Sequence, residues 1–254
     1  MSSSTWTRDA LSDARRASGR CWRLVEAQHR VSTMKLTDTV QEQERLEALL
    51  EQSKPSVPEE CRHLHYLLFT PFRYGAAYPH GSRFRRAGLT EGVFYGAARP
   101  RTAAIEMAFH RLLFFAESPK TPWPSNVAEY SAFAVEYAAR RAIDLQSPPF
   151  DRDAERWTHL TDYSACQDIA DACRAEGIDV IKYRSVRDPE VATNVAILRC
   201  RAFKRPDAVE HQTWRIHVGP GGARIACDFP KAAHDFDRTA FAADSRIARM
   251  GWER

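Results

Sequence analysis

From Cys61 onward, helix and strand patterns follow one another without a regular βαβ alternation. Pro100 opens RTAAIEMAFHRLLFF, a helix pattern that runs to about Phe115, since proline is well tolerated in a first helical turn. The segments IDVIKY and NVAILRC are typical of strands, and WRIHV and ARIACDF flank GPGG, which predicts a hairpin. This irregular order predicts the α+β class.

The chain before Cys61 has a different texture. Residues 5–54 contain no proline and are rich in Ala, Glu, Gln, Leu and Arg, and VQEQERLEALLEQ carries leucines at helical spacing. We therefore predict two helices that end at a pair of prolines. The expected organisation is an N-terminal helical extension over 1–58 and a second domain over 59–254.

Composition limits the classes of function. Hydrophobic residues make up 44% and charged residues 28%, and the formal net charge of +4 is lower than a dedicated nucleic-acid binder usually has. Arginines nevertheless crowd one stretch, which favours a local anion site: Arg83, Arg85, Arg86, Arg99 and Arg101.

The sequence also bears on compartment and metal chemistry. The N-terminus carries charges where a signal peptide needs an apolar run, and no segment has the apolar length of a membrane helix, so we expect a cytosolic protein. The six cysteines form no CxxC pair, and there is no HExxH motif. We interpret the cysteines as reduced and structural, and we expect no metal site.

Glu106 is the most unusual candidate for chemistry, because AAIEMAF places it among apolar residues inside a helix. A carboxylate in such surroundings must be paired, hydrogen-bonded or shifted in pKa, and such residues are often functional. The alternative is a solvated Glu106 that pairs with His110 one turn along the helix.

Three other residues offer groups for an anionic ligand. Arg73 lies where an apolar run meets a loop, and its alternative role is to cap a helix. Arg83 lies in the loop HGSRFRRAG, where glycines free backbone amides and Phe84 offers an aromatic face. Ser185 follows a strand, where functional side chains are frequent, although turn serines are more often local caps. Together these residues favour a nucleotide ligand.

The order of these motifs resembles the long form of the RES domain. LHYLLFTPFRY, HGSRFR, GVFYGA, RTAAIEMAFHRLLFF and GIDVIKYRSVRDPEVATNVAIL follow one another between about Cys61 and Cys200. The family is named for an arginine, a glutamate and a serine, which the resemblance assigns to Arg73, Glu106 and Ser185. It implies a fold similar to ADP-ribosyltransferases, with a split β core around an NAD⁺ cleft.

The resemblance also implies an activity, a substrate and a partner. RES proteins are toxins that cleave NAD⁺ without a metal, releasing ADP-ribose to water or transferring it to a protein, and an Xre-like antitoxin occludes the active site. Further residues expected to bind NAD⁺ are Arg83, Phe84, Tyr95, Arg187 and Asn194. The loop written GGRWN in short members reads GSRFR here, so Phe84 becomes the expected stacking aromatic.

Two alternatives come from other classes of protein. An RNA-binding or RNA-cleaving toxin would use the arginine cluster and the histidines, but the modest charge and the lack of exposed aromatics along a basic stripe disfavour it. An inactive scaffold that only binds an antitoxin is disfavoured by the presence of Arg73, Glu106 and Ser185 together.

Overall fold

The computed structural model describes residues 8–26, 31–75 and 79–253, and its fold is α+β, as the sequence predicts. The strands of this part are β1 (Arg15–Glu26), β2 (Phe94–Ala97), β3 (Ala128–Asp144), β4 (Val180–Arg184), β5 (Thr193–Ile197), β6 (Glu210–Gly219), β7 (Gly222–Cys227) and β8 (Ala232–Asp237). The α-helices are α1 (Val31–Met34), α2 (Val40–Ser53), α3 (Tyr66–Arg73), α4 (Pro100–Glu117), α5 (Ala154–Trp157), α6 (Ser164–Ala175) and α7 (Ser245–Ala248).

The strands form one sheet in the order β1-β2-β5-β4-β3-β6-β7-β8, and β1 also pairs with β3. This extra pairing closes β1, β2, β5, β4 and β3 into a ring. Strand β3 changes partners along its length: residues 128–134 pair with β6, and residues 142–144 pair with β4. The sheet divides at this change of partner, which agrees with the predicted split β core.

The prediction of two helices before Pro55 is correct only for its second half. Helix α2 begins with a capping box in which Thr39 Oγ1 accepts from Glu42 N at 3.1 Å. Strand β1, however, occupies the first half and pairs with β3 from Arg15 opposite Ala142 onward. Helix propensity is weak beside the burial that this pairing gives RCWRLV, so tertiary structure overrides it. Residues 15–26 therefore belong to the same sheet as the C-terminal strands.

Helix α4 packs on the core formed with β1, β3, β6 and β7 and buries Ala104, Ile105, Ala108 and Leu112 completely. Helix α6 covers a second core against β4 and β5. It ends at Ala175, and Gly177, just beyond this end, has a φ of 67° that allows Ile178 N to donate to Cys173 O at 2.8 Å. Helix α4, the hairpin β6–β7 and the strands β4 and β5 lie where the sequence predicts them.

The cysteines are not all reduced, and that prediction is wrong for one pair. A disulfide joins Cys61 to Cys200 across 139 residues of sequence. The 3₁₀ turns Glu59–Cys61 and Cys200–Ala202 pack together and bring the two residues within reach. Spacing along the chain cannot reveal such a pairing. The other four cysteines are free and buried. None of the helices described is both long and apolar enough to span a membrane.

Candidate active site

A cavity of about 310 Å³ lies between the N-terminal half of α4, strands β1 and β2, and the loop after β4. Its size is in the range of small-molecule sites. The polar and aromatic side chains that line it are Trp22, Arg23, Ser82, Arg83, Tyr95, Glu106, Phe109, His110, Tyr163, Tyr183, Arg187 and Asn194.

Glu106 places its carboxylate in this cavity and is held by two neutral donors. Its Oε1 accepts a hydrogen bond from Ser185 Oγ at 2.6 Å and another from Asn194 Nδ2 at 2.8 Å. Its Oε2 accepts none from the described residues. His110 also lines the cavity, but the hydrogen bonds of Glu106 go to Ser185 and Asn194, so the alternative of a solvated pair with His110 does not describe this carboxylate.

Ser185 combines the two roles that the sequence left open. Its Oγ accepts from the backbone amides of Arg187 at 3.3 Å and Asp188 at 3.2 Å, which is a local turn cap. The same hydroxyl donates its one proton to the carboxylate of Glu106. Because Ser185 is 1% exposed, its hydroxyl orients the carboxylate rather than meeting solvent.

The loop that follows Ser185 is attached to the first turn of α4. The buried carboxylate of Asp188 accepts from Thr102 Oγ1 and from Arg101 Nη1, both at 2.7 Å. This attachment joins the loop directly to the helix that carries Glu106. The site is thus built on fixed elements, which favours a preorganised geometry.

Two arginines that the sequence identified line the cavity. Arg83 lies over the ring of Tyr163 at 4.6 Å, and its Nη1 donates to Trp157 O at 2.7 Å. None of the described carboxylates pairs with Arg83. Arg187 lies 3.6 Å from the Phe109 ring centroid and pairs with Asp244 at 3.0 Å. Burial lowers the pKa of the Arg187 guanidinium.

A third arginine, Arg23, was missed by the sequence analysis because its segment was predicted as helix. It lies on β1, its guanidinium lies 5.1 Å from the Phe94 ring centroid, and its Nη1 donates to Tyr95 O at 3.1 Å. The signal for a strand here was the aromatic and aliphatic run in RCWRLV after Gly19.

Arg73 was expected to share a site with Glu106 and Ser185. In the structure it does not line their cavity. Arg73 is the last residue of α3, and its Nη1 contacts Glu51 Oε1 at 2.5 Å while its Nε donates to Pro55 O. It also donates to Glu51 O at 3.4 Å, so it caps the C-terminal end of α2. Helix capping was the alternative role considered for Arg73. The arginines that share the cavity with Glu106 are Arg23, Arg83 and Arg187.

Phe84 is also displaced from its expected role. It is completely buried, and its ring meets the Tyr183 ring edge-on at 4.8 Å between centroids, in the core below α6. Phe84 packs against Tyr183, which lines the cavity, and its own ring has no exposed face for a ligand. The aromatic rings that do line the cavity include Tyr95 and Tyr163.

Tyr95 and Asn194 lie in the cavity as expected. The Tyr95 hydroxyl lies 2.7 Å from Ser82 Oγ and accepts from Phe84 N at 2.9 Å, which fixes the loop that carries Arg83. Burial raises the pKa of this phenol. Asn194 is 4% exposed, and its Oδ1 is buried without a partner. An unsatisfied buried acceptor at a cavity wall is a group that a ligand can satisfy.

The remaining cavity groups set its proton chemistry. Burial raises the pKa of Tyr183 well above its ordinary value, and the charge of Glu106 adds to this, so Tyr183 keeps its proton. Burial removes water from the His110 imidazole and lowers its pKa, although the negative charge of Glu106 acts in the opposite direction. Among the described residues, the group with metal-ligand geometry is Glu60 with the two disulfide sulfurs, and these residues do not line the cavity.

The structure is an α+β protein with a cavity lined by arginines and built around one carboxylate. The family model of the RES domain matches residues 57–218, and the chain belongs to this family. A search of curated proteins finds no match. Among solved structures, one chain of the M. tuberculosis MbcT–MbcA toxin–antitoxin complex is similar, with a TM-score of 0.48 and 11% sequence identity, over 80% of this chain and 89% of that chain.

Proposed function

We propose that this chain cleaves NAD⁺ at the bond between nicotinamide and ribose. The observation that carries the proposal is the carboxylate of Glu106, oriented by Ser185 and Asn194 in a cavity that also holds arginines. Membership in the RES family supports it.

The charges of the cavity suit a dinucleotide. Arg23, Arg83 and Arg187 bring three positive charges, and one of them is balanced by Asp244. A pyrophosphate carries two negative charges, and guanidinium groups bind it with charge-assisted hydrogen bonds. Glu106 adds one negative charge at the position proposed for the nicotinamide ribose. The ribose develops positive charge during the reaction, so a carboxylate is suited to this position.

The reaction breaks the bond between ribose C1′ and the pyridinium nitrogen, and the nitrogen keeps the electron pair, so nicotinamide leaves as a neutral molecule. The ribose carbon develops oxocarbenium character, as in glycoside cleavage. The fixed carboxylate of Glu106 stabilises this positive charge without needing to reorganise. Donors on its Oε1 leave Oε2 for a ribose hydroxyl, and Asn194 Oδ1 is a second acceptor for a hydroxyl or amide of the substrate.

The acceptor of ADP-ribose has two possible identities. Water adds a hydroxyl to C1′ and releases a proton, which makes the protein an NAD⁺ glycohydrolase. A nucleophilic side chain of another protein at the same position would make it an ADP-ribosyltransferase. Incubation of a cell extract with NAD⁺ labelled in the adenylate part separates the two, because only transfer leaves label on protein.

We further propose that the chain is the toxin of a toxin–antitoxin pair and that an Xre-like antitoxin occludes the cavity. Family membership is the basis for this role. The expected result of expressing the chain alone is growth arrest with NAD⁺ depletion, and co-expression of a cognate Xre-like antitoxin should restore both growth and NAD⁺. Growth arrest at normal NAD⁺ concentrations would contradict the proposed link.

The direct test of the activity is nicotinamide release from NAD⁺ by the purified chain. Glu106→Gln keeps the shape of the side chain and the acceptor for Ser185 and Asn194 but removes the charge, and should abolish release. Glu117→Gln is the matched control, since Glu117 is exposed at the end of the same helix. Release that persists in a folded Glu106→Gln variant would exclude the proposed site.

A further inference from the structure

Strand β1 uses its two edges unequally. On one side it pairs with β3 along almost its whole length, whereas on the other side its pairing with β2 consists of Trp22 opposite Ala97. On that second side, residues 15–20 pair with none of the described residues. We call residues 15–20 the free edge of β1. Exposed strand edges normally carry features that control what can pair with them.

The backbone of the free edge is available for further hydrogen bonds. In an antiparallel pair, every second residue directs its N–H and C=O groups away from the partner strand. The residues of the free edge are exposed, apart from the half-buried Ala17, so solvent reaches this edge. A strand edge with outward donors and acceptors is a template to which an extended segment of another chain can be added.

Arginines surround the free edge. Arg15 and Arg16 belong to it, and Arg140 lies on the neighbouring strand β3. All three are exposed, and none of them forms an ion pair with a described residue. The other arginine of the edge, Arg20, pairs with Glu210 at 2.8 Å between exposed side chains. Three unpaired positive charges at one strand edge favour a negatively charged partner.

Small side chains lie between these arginines. A depression of about 480 Å³ on β1 and β3 is lined by Arg16, Ala17, Ser18, Ala138, Ala139 and Arg140. Ser18 lies opposite Ala138 in the strand register. Because the residues between the two arginines are small, a carboxylate on a strand added beside β1 can approach Arg16 as a cross-strand neighbour, with the charge of Arg140 across the depression.

The charges and the backbone together select the occupant. A second copy that added its own β1 would place arginines opposite Arg15 and Arg16, and like charges opposite each other destabilise strand pairing. A nucleic acid would meet the arginines, but it offers no peptide N–H and C=O groups at the spacing of a strand. An acidic protein segment in extended conformation satisfies both the arginines and the backbone of the edge.

We infer that the free edge of β1 binds an extended acidic segment of a partner protein as an added strand. The inference goes beyond the proposed NAD⁺ cleavage and does not depend on it, because none of residues 15–20 lines the cavity around Glu106. The edge also lies outside residues 57–218, which match the family model. The N-terminal part of the chain thus carries an interaction surface of its own.

The test uses a fluorescently labelled peptide in which glutamate alternates with threonine, and fluorescence anisotropy measures its binding to the full chain. The double variant Arg16→Gln, Arg140→Gln removes two charges from the surface and should weaken binding by about tenfold to a hundredfold. The double variant Arg224→Gln, Arg249→Gln is the matched control, because it removes the same charge from exposed positions on β7 and after α7.

A second comparison separates strand addition from a simple attraction of charges. A peptoid with the same carboxylates carries its side chains on nitrogen and therefore lacks N–H donors. It should bind at least about tenfold more weakly than the peptide. Peptide binding should also slow hydrogen–deuterium exchange in residues 15–20, because the outward amides of the free edge become hydrogen-bonded.

Slower exchange in residues 15–20, together with weaker binding by the Arg16→Gln, Arg140→Gln variant, would support strand addition. Equal affinities for peptide and peptoid, or equal affinity for a single-stranded oligonucleotide of the same charge, would indicate a general polyanion surface and overturn the inference. Absence of peptide binding, or unchanged binding by the folded double variant, would also overturn it. Nicotinamide release is measured separately and should be the same in both double variants as in the wild type.

Discussion

Ser185 Oγ lies 2.6 Å from Glu106 Oε1, although 79 residues separate them in the sequence. The hydroxyl oxygen already accepts hydrogen bonds from two backbone amides of its own turn, so the hydroxyl proton is donated to Glu106. Glu106 is therefore oriented by a group whose own position is determined by the loop. This relationship suggests that Ser185 positions the carboxylate and does not act as a nucleophile.

Ser185→Ala tests that role. The variant removes the donor to Glu106 and leaves two buried amides without an acceptor, which should destabilise the fold by about 1–3 kcal/mol. If Ser185 positions Glu106, kcat for nicotinamide release falls while KM changes little, and some activity remains. Ser53→Ala is a matched control, since that hydroxyl caps the exposed end of α2. Unchanged kcat in a folded variant would contradict the positioning role.

Asn194→Leu tests the unpartnered acceptor of the cavity. Leucine has a similar size but neither donates to Glu106 nor accepts from a substrate. We expect KM for NAD⁺ to rise about tenfold, the effect of one or two lost hydrogen bonds. Steady-state kinetics measures the change, and the thermal unfolding midpoint should stay the same or rise, because an unsatisfied buried oxygen is removed. A fall in stability with KM unchanged would assign Asn194 a purely structural role.

Asp244→Asn tests how Arg187 is held in the cavity wall. The Asp244 carboxylate is fully buried and pairs with Arg187 and Arg246, so its removal should destabilise the fold by about 3 kcal/mol. The freed Arg187 should also raise KM for NAD⁺. Chemical denaturation gives the first quantity and kinetics the second. A normal KM would show that Arg187 needs no support from Asp244.

The same pair predicts a dependence of stability on pH. Burial opposes ionisation of Asp244, but hydrogen bonds from Arg246 and the charge of Arg187 outweigh it and hold the pKa below its ordinary value of 3.8. A carboxyl group whose pKa is lower in the folded state than in the unfolded state stabilises the fold at pH values above its unfolded-state pKa. This stabilisation is lost as the pH falls through the pKa of the folded state. The stability gap between wild type and Asp244→Asn should thus be constant above about pH 5 and shrink in stronger acid. A gap that grows on acidification would contradict this sign.

Arg73→Ala and Arg83→Ala distinguish the arginine expected from the sequence from the one that the cavity contains. Arg73 caps α2, so its loss should lower the thermal unfolding midpoint and leave kcat/KM for NAD⁺ within about twofold of the wild type. Arg83→Ala should lower kcat/KM by about a hundredfold or more. Arg83→Lys, which keeps the charge but not the fork of donors, should be intermediate. Loss of activity in folded Arg73→Ala alone would return the role to Arg73.

Local patterns were sufficient for much of the fold. Helix α4 was predictable from its N-terminal proline and its apolar residues, strands β4 and β5 from IDVIKY and NVAILRC, and the β6–β7 hairpin from GPGG. Strand β8 was not identified, because AAHDFD has few residues with a strand preference and is ordered by pairing with β7. Strand β1 was predicted as helix because its partner β3 is more than a hundred residues away.

The sequence by itself determined the chemistry available to this protein: a carboxylate in an apolar helix, a cluster of arginines and a serine at the end of a strand. Only the tertiary structure decided which of them meet. In the structure, Glu106 accepts hydrogen bonds from Ser185 and Asn194, and Arg23 on β1 lines the same cavity. Arg73 instead caps the end of α2, and Phe84 is buried in the core. The physical reason is that helix and turn signals act over a few residues, whereas strand pairing and side-chain packing join residues that are distant in the chain.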